Sequence, residues 1–147
     1  MSPLVTVRVH LFCRGTSPCA DVQYRQVESI GMCVKFVTAH DNYGHQRALC
    51  EAQPRGRVVN LDTSAKIAAI DTIHRADYKN KGFFIGLTRV MGGDYQWTGG
   101  FRVTAAKWAP REPGKHKNDL CVLQAPWFDY RWDDIYCTDA FGIICNF

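Results

Sequence analysis

Apolar and polar residues alternate through residues 1–12, where Val5, Val7, Val9 and Leu11 are separated by Thr6, Arg8 and His10. A period of two predicts a strand, and it is not the continuous apolar run of a secretory signal. Gly15, Ser17 and Pro18 then mark a turn. Residues 32–37 carry β-branched and aromatic side chains and predict a second strand. The period changes next. Tyr43, Arg47 and Cys50 fall on one side of a short helix over residues 40–50, although Gly44 weakens it. Pro54 and Gly56 make a loop, and residues 58–61 a short strand. Thr63 or Ser64 caps a clearer helix that runs to about residue 76, with Ile67, Ile70 and Ile73 or His74 on its buried stripe. His74 reads as a packed or solvated histidine, not as a ligand. Residues 79–82 break the helix, and the apolar run 83–87 suits a strand buried on both faces. Between residues 91 and 132 there is little periodicity, and long loops are expected there. Short strands at 120–124 and 141–145 close the chain. Helices followed by short strands and loops give the α+β class.

Composition narrows the function. A chain of 147 residues makes one domain, and no apolar run approaches the roughly 18 residues of a membrane span. The net charge of +4 is mild, and no basic stripe interleaved with aromatics suggests nucleic acid. The histidines are scattered and no G-x-S-x-G, H-E-x-x-H or phosphate-binding loop occurs, so no enzyme is expected. Glu112 and Asp134 alone do not make a paired-carboxylate hydrolase. Seven cysteines are many for this length and none has zinc-ligand spacing. They read as a disulfide framework, which implies an oxidising, secreted or extracellular setting. An odd number leaves one over.

Carboxylates, tryptophans and cysteines alternate through the last forty or so residues. The ordered set Cys33-Val34-Lys35-Phe36, Val59-Asn60-Leu61, Phe84-Ile85-Gly86-Leu87, Tyr95-Gln96-Trp97-Thr98-Gly99-Gly100, Trp108-x-x-x-Glu112-Pro113, Cys121-Val122-Leu123, Trp132-x-Asp134-x-x-Cys137 and Ile143-Ile144-Cys145 resembles a C-type lectin-like domain of the long form. The resemblance covers about residues 19–147 and leaves residues 1–18 as an N-terminal extension with a strand. It departs in the first helix, where Tyr43 replaces the usual Trp and Gln46 the usual Ala. It implies a disulfide-stapled fold with two helices flanking short antiparallel sheets and a long loop region. It also implies the pairs Cys50–Cys145, Cys121–Cys137 and Cys19–Cys33. Cys13 is then left over, either as an inert thiol or as the handle for a homodimer.

The resemblance further implies one principal calcium held by Glu112, Asp119, Asp133 and Asp134, with a cis bond between Glu112 and Pro113. The implied function is calcium-dependent, non-catalytic carbohydrate binding, with Glu112, Asn118, Asp119, Asp133, Asp134 and Trp127 on the ligand side. Two departures bear on the sugar. Gly114 and Asp133 stand where the family carries amide side chains, so two hydrogen-bond donors are missing. Asn118 is placed to supply one. An accessory calcium site looks lost, because Arg89 and Gly93 replace its acids. Arg111, Lys115, His116 and Lys117 surround the acidic set. They would attract a sulfated or sialylated ligand. The missing amide donors favour the alternative expectation, a calcium-independent module for a protein or an anionic ligand.

Overall fold

The computed structural model describes Cys19 and residues 23–90, 92–114 and 120–147. The strand and turn expected within residues 1–18 lie outside the described residues, as do Cys13, Lys115, His116, Lys117, Asn118 and Asp119.

Two helices pack against a mixed sheet. Its strands are β1 (Arg25–Val27), β2 (Met32–Asp41), β3 (Arg57–Val58), β4 (Phe83–Arg89), β5 (Gln96–Trp97), β6 (Phe101–Arg102), β7 (Leu120–Ala125), β8 (Arg131–Tyr136) and β9 (Phe141–Asn146). The order is β1-β2-β9-β4-β5-β6, with β3 on β9 and with β7 joining β4 to β8. Pairing is not purely antiparallel, since β4 and β9 run parallel. Strand β2 extends four residues beyond the expected 32–37, because Asp41 still pairs with Phe141 across a bulge. Helix α1 (Tyr43–Glu51) therefore begins later than expected. Asn42 caps it by accepting a hydrogen bond from the His45 backbone.

The substitution at Gln46 has a structural role. The side chain is buried, and its amide nitrogen donates to the carbonyls of Ala39 and Phe141, each at 2.6 Å. It ties α1 to the bulge where β2 leaves β9. Helix α2 (Ser64–Asp77) is capped by Thr63 and buries Ile70, Ile73 and His74, the expected stripe.

The disulfides are Cys19–Cys33, Cys50–Cys145 and Cys121–Cys137, the pairs the resemblance implies. No described cysteine is left for an intermolecular bridge. The Cys50–Cys145 link fastens α1 to β9 across 95 residues. Strand β4 is buried from Phe83 to Leu87, as its continuous apolar run predicts. At Gly86 a Cβ would sit 2.5 Å from the Asn60 side-chain oxygen and 2.7 Å from the Val59 carbonyl, so only glycine fits the approach of the segment after β3.

Candidate metal centre

The segment between β6 and β7 has no helical or strand periodicity, yet its first part is pinned. Trp132 donates its backbone N–H to the Lys107 carbonyl, and Ala109 donates to the Trp132 carbonyl, both at 2.8 Å. Residues 107–109 thus run beside the start of β8. Glu112 then donates its N–H to the Ala109 carbonyl at 2.9 Å, closing a turn in which Arg111 has a φ of 69°. Packing holds this turn from below. Trp97, Trp108 and Trp132 meet edge to face at 5.5 and 5.9 Å, and Tyr95 packs edge-on to Trp108 at 5.0 Å. Trp132 and Trp97 are buried, so the tryptophans of this region build the floor of the site.

Strand β8 delivers the acids. It pairs with β7 through Asp133↔Leu123 and Asp134↔Val122. Asp134 is buried and Asp133 half-buried. The turn brings Glu112 onto them, so that Glu112, Asp133 and Asp134 each offer a carboxylate oxygen within 4.8 Å of the others. The Glu112–Pro113 bond is cis, as the resemblance implies. Three of the four expected ligand residues are therefore together, and the fourth, Asp119, lies outside the described residues.

Such crowding is costly without a cation. A hydrogen bond shared with Asp134, burial, and the charges of Asp134 and Asp133 push the Glu112 carboxyl up to about 7, against a weaker pull downward from the Gly114 backbone N–H. Among the described residues no donor faces the buried Glu112 Oε2 atom, and two ionised carboxylates cannot donate to each other. Clustered hard oxygens, one of them lacking a donor, fit a hard divalent cation.

One member of the site was missed in the sequence. The Tyr95 hydroxyl donates to Asp134 Oδ2 at 2.8 Å. Burial and then this bond to a carboxylate push the phenol pKa well above its usual range. The Arg89 guanidinium lies 5.6 Å over the Tyr95 ring, within cation–π reach. Arg89, Tyr95, Asp134 and Glu112 thus form one line from β4 to the turn. The only sequence signal for Tyr95 was its place two residues before Trp97.

Trp127 is not brought to this cluster. It lies in the 3-10 turn Pro126–Phe128, at the far end of β7 from Leu120, and packs on Phe141 at 5.9 Å. The hairpin turn between β7 and β8 carries it away, and it remains 54% exposed.

Comparison with known proteins agrees with this architecture. The Lectin C-type domain family profile matches residues 39–147. The chain is 36% identical over 68 residues to the alpha-N-acetylgalactosamine-specific lectin of Patiria pectinifera, covering 44% of this chain and 40% of that protein. It is 29% identical over 134 residues to the hepatic lectin of Gallus gallus, covering 88% of this chain and 61% of that one. The chain thus spans less than two thirds of either relative. Among solved structures, human lithostathine superimposes with a TM-score of 0.76 at 20% identity, covering 88% of this chain and 90% of that one. A complex of SPL-1 with GlcNAc gives 0.76 at 18% identity, covering 88% and 95%. With its family profile matched over residues 39–147, this chain belongs to the C-type lectin domain family.

Proposed function

We propose that this domain is a non-catalytic, calcium-dependent carbohydrate-binding module of a secreted or extracellular protein. The observation that carries the reading is the meeting of Glu112, Asp133 and Asp134 with a buried Glu112 oxygen that no donor among the described residues faces. Glu112, Asp133 and Asp134 would hold the ion, joined by Asp119 from the following loop. Bound calcium supplies a hard centre to which sugar hydroxyls coordinate. Tyr95 fixes the rotamer of Asp134 by donating to one of its oxygens, and the Trp97–Trp108–Trp132 floor holds the turn in register with β8. Three disulfides fit an oxidising compartment. No described helix is long and apolar enough to cross a membrane. Two of the similar proteins are lectins by name, which supports a saccharide as the ligand class.

Gly114 and Asp133 offer no side-chain amide. A sugar here would be gripped through acceptors and Asn118, and single-site affinity would be weak, so multivalent display would govern useful binding. The same lack of donors favours a second reading, in which the face takes a protein or anionic ligand without calcium. Thermal unfolding and glycan-array binding, with calcium and then with chelator, separate the two. The calcium reading expects a raised melting temperature and chelator-sensitive binding. An unchanged melting temperature with binding that survives chelation would sink it.

A further inference from the structure

Five charged side chains line a cleft of about 520 Å³ between α2 and residues 104–107. That volume is of ligand-pocket size. They are Asp71 and Arg75 from α2, Lys107, Asp129 from the turn before β8 and Arg131 at the start of β8. Arg75 is fully engaged. Its Nε donates to Asp71 at 2.7 Å, and its Nη atoms donate to the Asp129 carboxylate and carbonyl at 2.8 and 2.9 Å. The guanidinium also lies 4.5 Å over the Tyr130 ring. Lys107 donates to the other oxygen of Asp71. Its side chain is only 14% exposed, and burial pushes its pKa down before Asp71 pulls it back.

Arg131 differs from these. It lines the same cleft and is exposed, yet among the described residues its side chain makes no ion pair. Its positive charge also lowers the Lys107 pKa, which places the two cations within electrostatic reach. Three cations thus face two carboxylates, and the excess positive charge is the exposed Arg131. A network built only to fasten α2 to β8 would be complete with Arg75, Asp71, Lys107 and Asp129, and has no use for Arg131. The apolar lining is Ile67 with Ala68, Ala105 and Ala106, side chains small enough to leave room for a ring. The fixed Asp71 and Asp129 oxygens retain lone pairs for hydroxyl donors. Free guanidinium, remaining ammonium N–H, fixed acceptors and a small apolar lining match one ligand class.

We propose that this cleft is a second binding site, independent of calcium, that takes a sulfated or carboxylated saccharide. The acidic group meets Arg131 and the remaining Lys107 donors, and the ring hydroxyls meet Asp71 and Asp129. Arg131 and Asp133 alternate with the buried Trp132 on the outward side of β8. The cleft therefore adjoins the acidic cluster, roughly 7 Å along the strand. Negative charge in that cluster opposes an anion here, so neutralising it should strengthen binding.

The test is calorimetric titration with a sulfated heparin-derived disaccharide, its desulfated counterpart and a carboxylated sialyl-lactose, all in chelator. Binding of at least one acidic probe, weakened by salt, is expected, with the desulfated neutral sugar bound at least tenfold more weakly. Arg131→Gln, an exposed change that leaves the fold intact, should weaken the acidic probe at least tenfold. Ala106→Trp should block it, and Asp133→Ala with Asp134→Ala, which removes the neighbouring negative charge, should tighten it. If Ala106→Trp does not fold, amide chemical-shift mapping of the bound probe replaces it, with shifts expected at Ala106 and Arg131. No acidic-probe binding in chelator, an undiminished Arg131→Gln, or equal binding of the neutral sugar would each overturn the proposal. All arms run without calcium, so they leave the reading of the acidic cluster untouched.

Discussion

Two polar clusters share strand β8, and they are built on opposite principles. At its start His74, Gln124 and Trp132 form a buried chain. His74 Nε2–H donates to the Lys81 carbonyl at 2.6 Å, Gln124 Nε2 donates to His74 Nδ1 at 2.9 Å, and Trp132 Nε1 donates to Gln124 Oε1 at 3.3 Å. The partners assign the tautomer, because a carbonyl can only accept. Phe36, Phe83 and Tyr130 enclose the ring. Farther along the same strand, Glu112, Asp133 and Asp134 crowd like charges together. The first cluster closes on itself and is neutral. The second is acceptor-rich and is completed only from outside. Neutral closure marks a group that serves the fold, and crowded like charge marks one held ready for a ligand.

Breaking the closed cluster should cost most. His74→Ala removes a fully buried ring, leaves a cavity, and strips partners from Gln124 and the Lys81 carbonyl. A loss of about 4 kcal/mol is expected, read by denaturant unfolding. Calcium should still stabilise whatever folds, because no atom of the acidic cluster is touched. Acid probes the same cluster more gently. Burial holds the His74 pKa down to about 4, below its unfolded value of about 6.5. Between those values the unfolded state binds the extra proton, so stability is intact above pH 6.5 and falls as pH drops toward 4. The ceiling is about 3 kcal/mol. A His74→Gln variant, if folded, should lose that part of the pH slope; an unchanged slope would assign it to other groups.

The same contrast explains what the sequence disclosed. Helix α2, strand β4 and the terminal β9 repeat one pattern over many residues, so their periodicity reports them directly. Strand β8 was invisible, although it organises both clusters. Its central Asp133-Asp134 pair is poor strand material, and the strand forms because β7 pairs with it along its whole length. The short hairpin β5–β6 was hidden for a similar reason, since two residues per strand carry no period. The acids themselves were legible, because Glu112 and Asp134 fall in an ordered set of motifs. Tyr95 was not, since its role rests on a contact 39 residues away. Gln46 looked like a packing departure and turned out to bridge two carbonyls.

Tyr95→Phe tests how far the open cluster depends on support from its neighbours. Asp134 keeps its place on β8 but loses the donor that fixes its carboxylate. Loss of such an orienting partner typically weakens metal affinity 10–100-fold. Because Asp134 is also held by strand pairing, about tenfold is expected, equivalent to about 1.4 kcal/mol. Calcium titration followed by tryptophan fluorescence reads it, with Trp97 and Trp108 beside the site. An unchanged affinity would make Tyr95 a packing residue only.

The smallest change is the most discriminating, because its sign is reversed. Glu112→Gln keeps size and shape but removes one charge from three crowded carboxylates. The new amide can donate to Asp134, where the carboxylate pair could share only a proton. In chelator at pH 8 the variant should be more stable than the parent by about 1 kcal/mol, after allowing for solvent screening of a half-exposed group. With calcium the order should invert, because the parent gains the ion's binding energy and the variant has lost a charged ligand. A substitution in the closed cluster cannot behave this way, since no added ion repairs a cavity. If Glu112→Gln is less stable in chelator, the three acids are held by contacts that outweigh their repulsion. They would then belong with His74 among the groups that serve the fold.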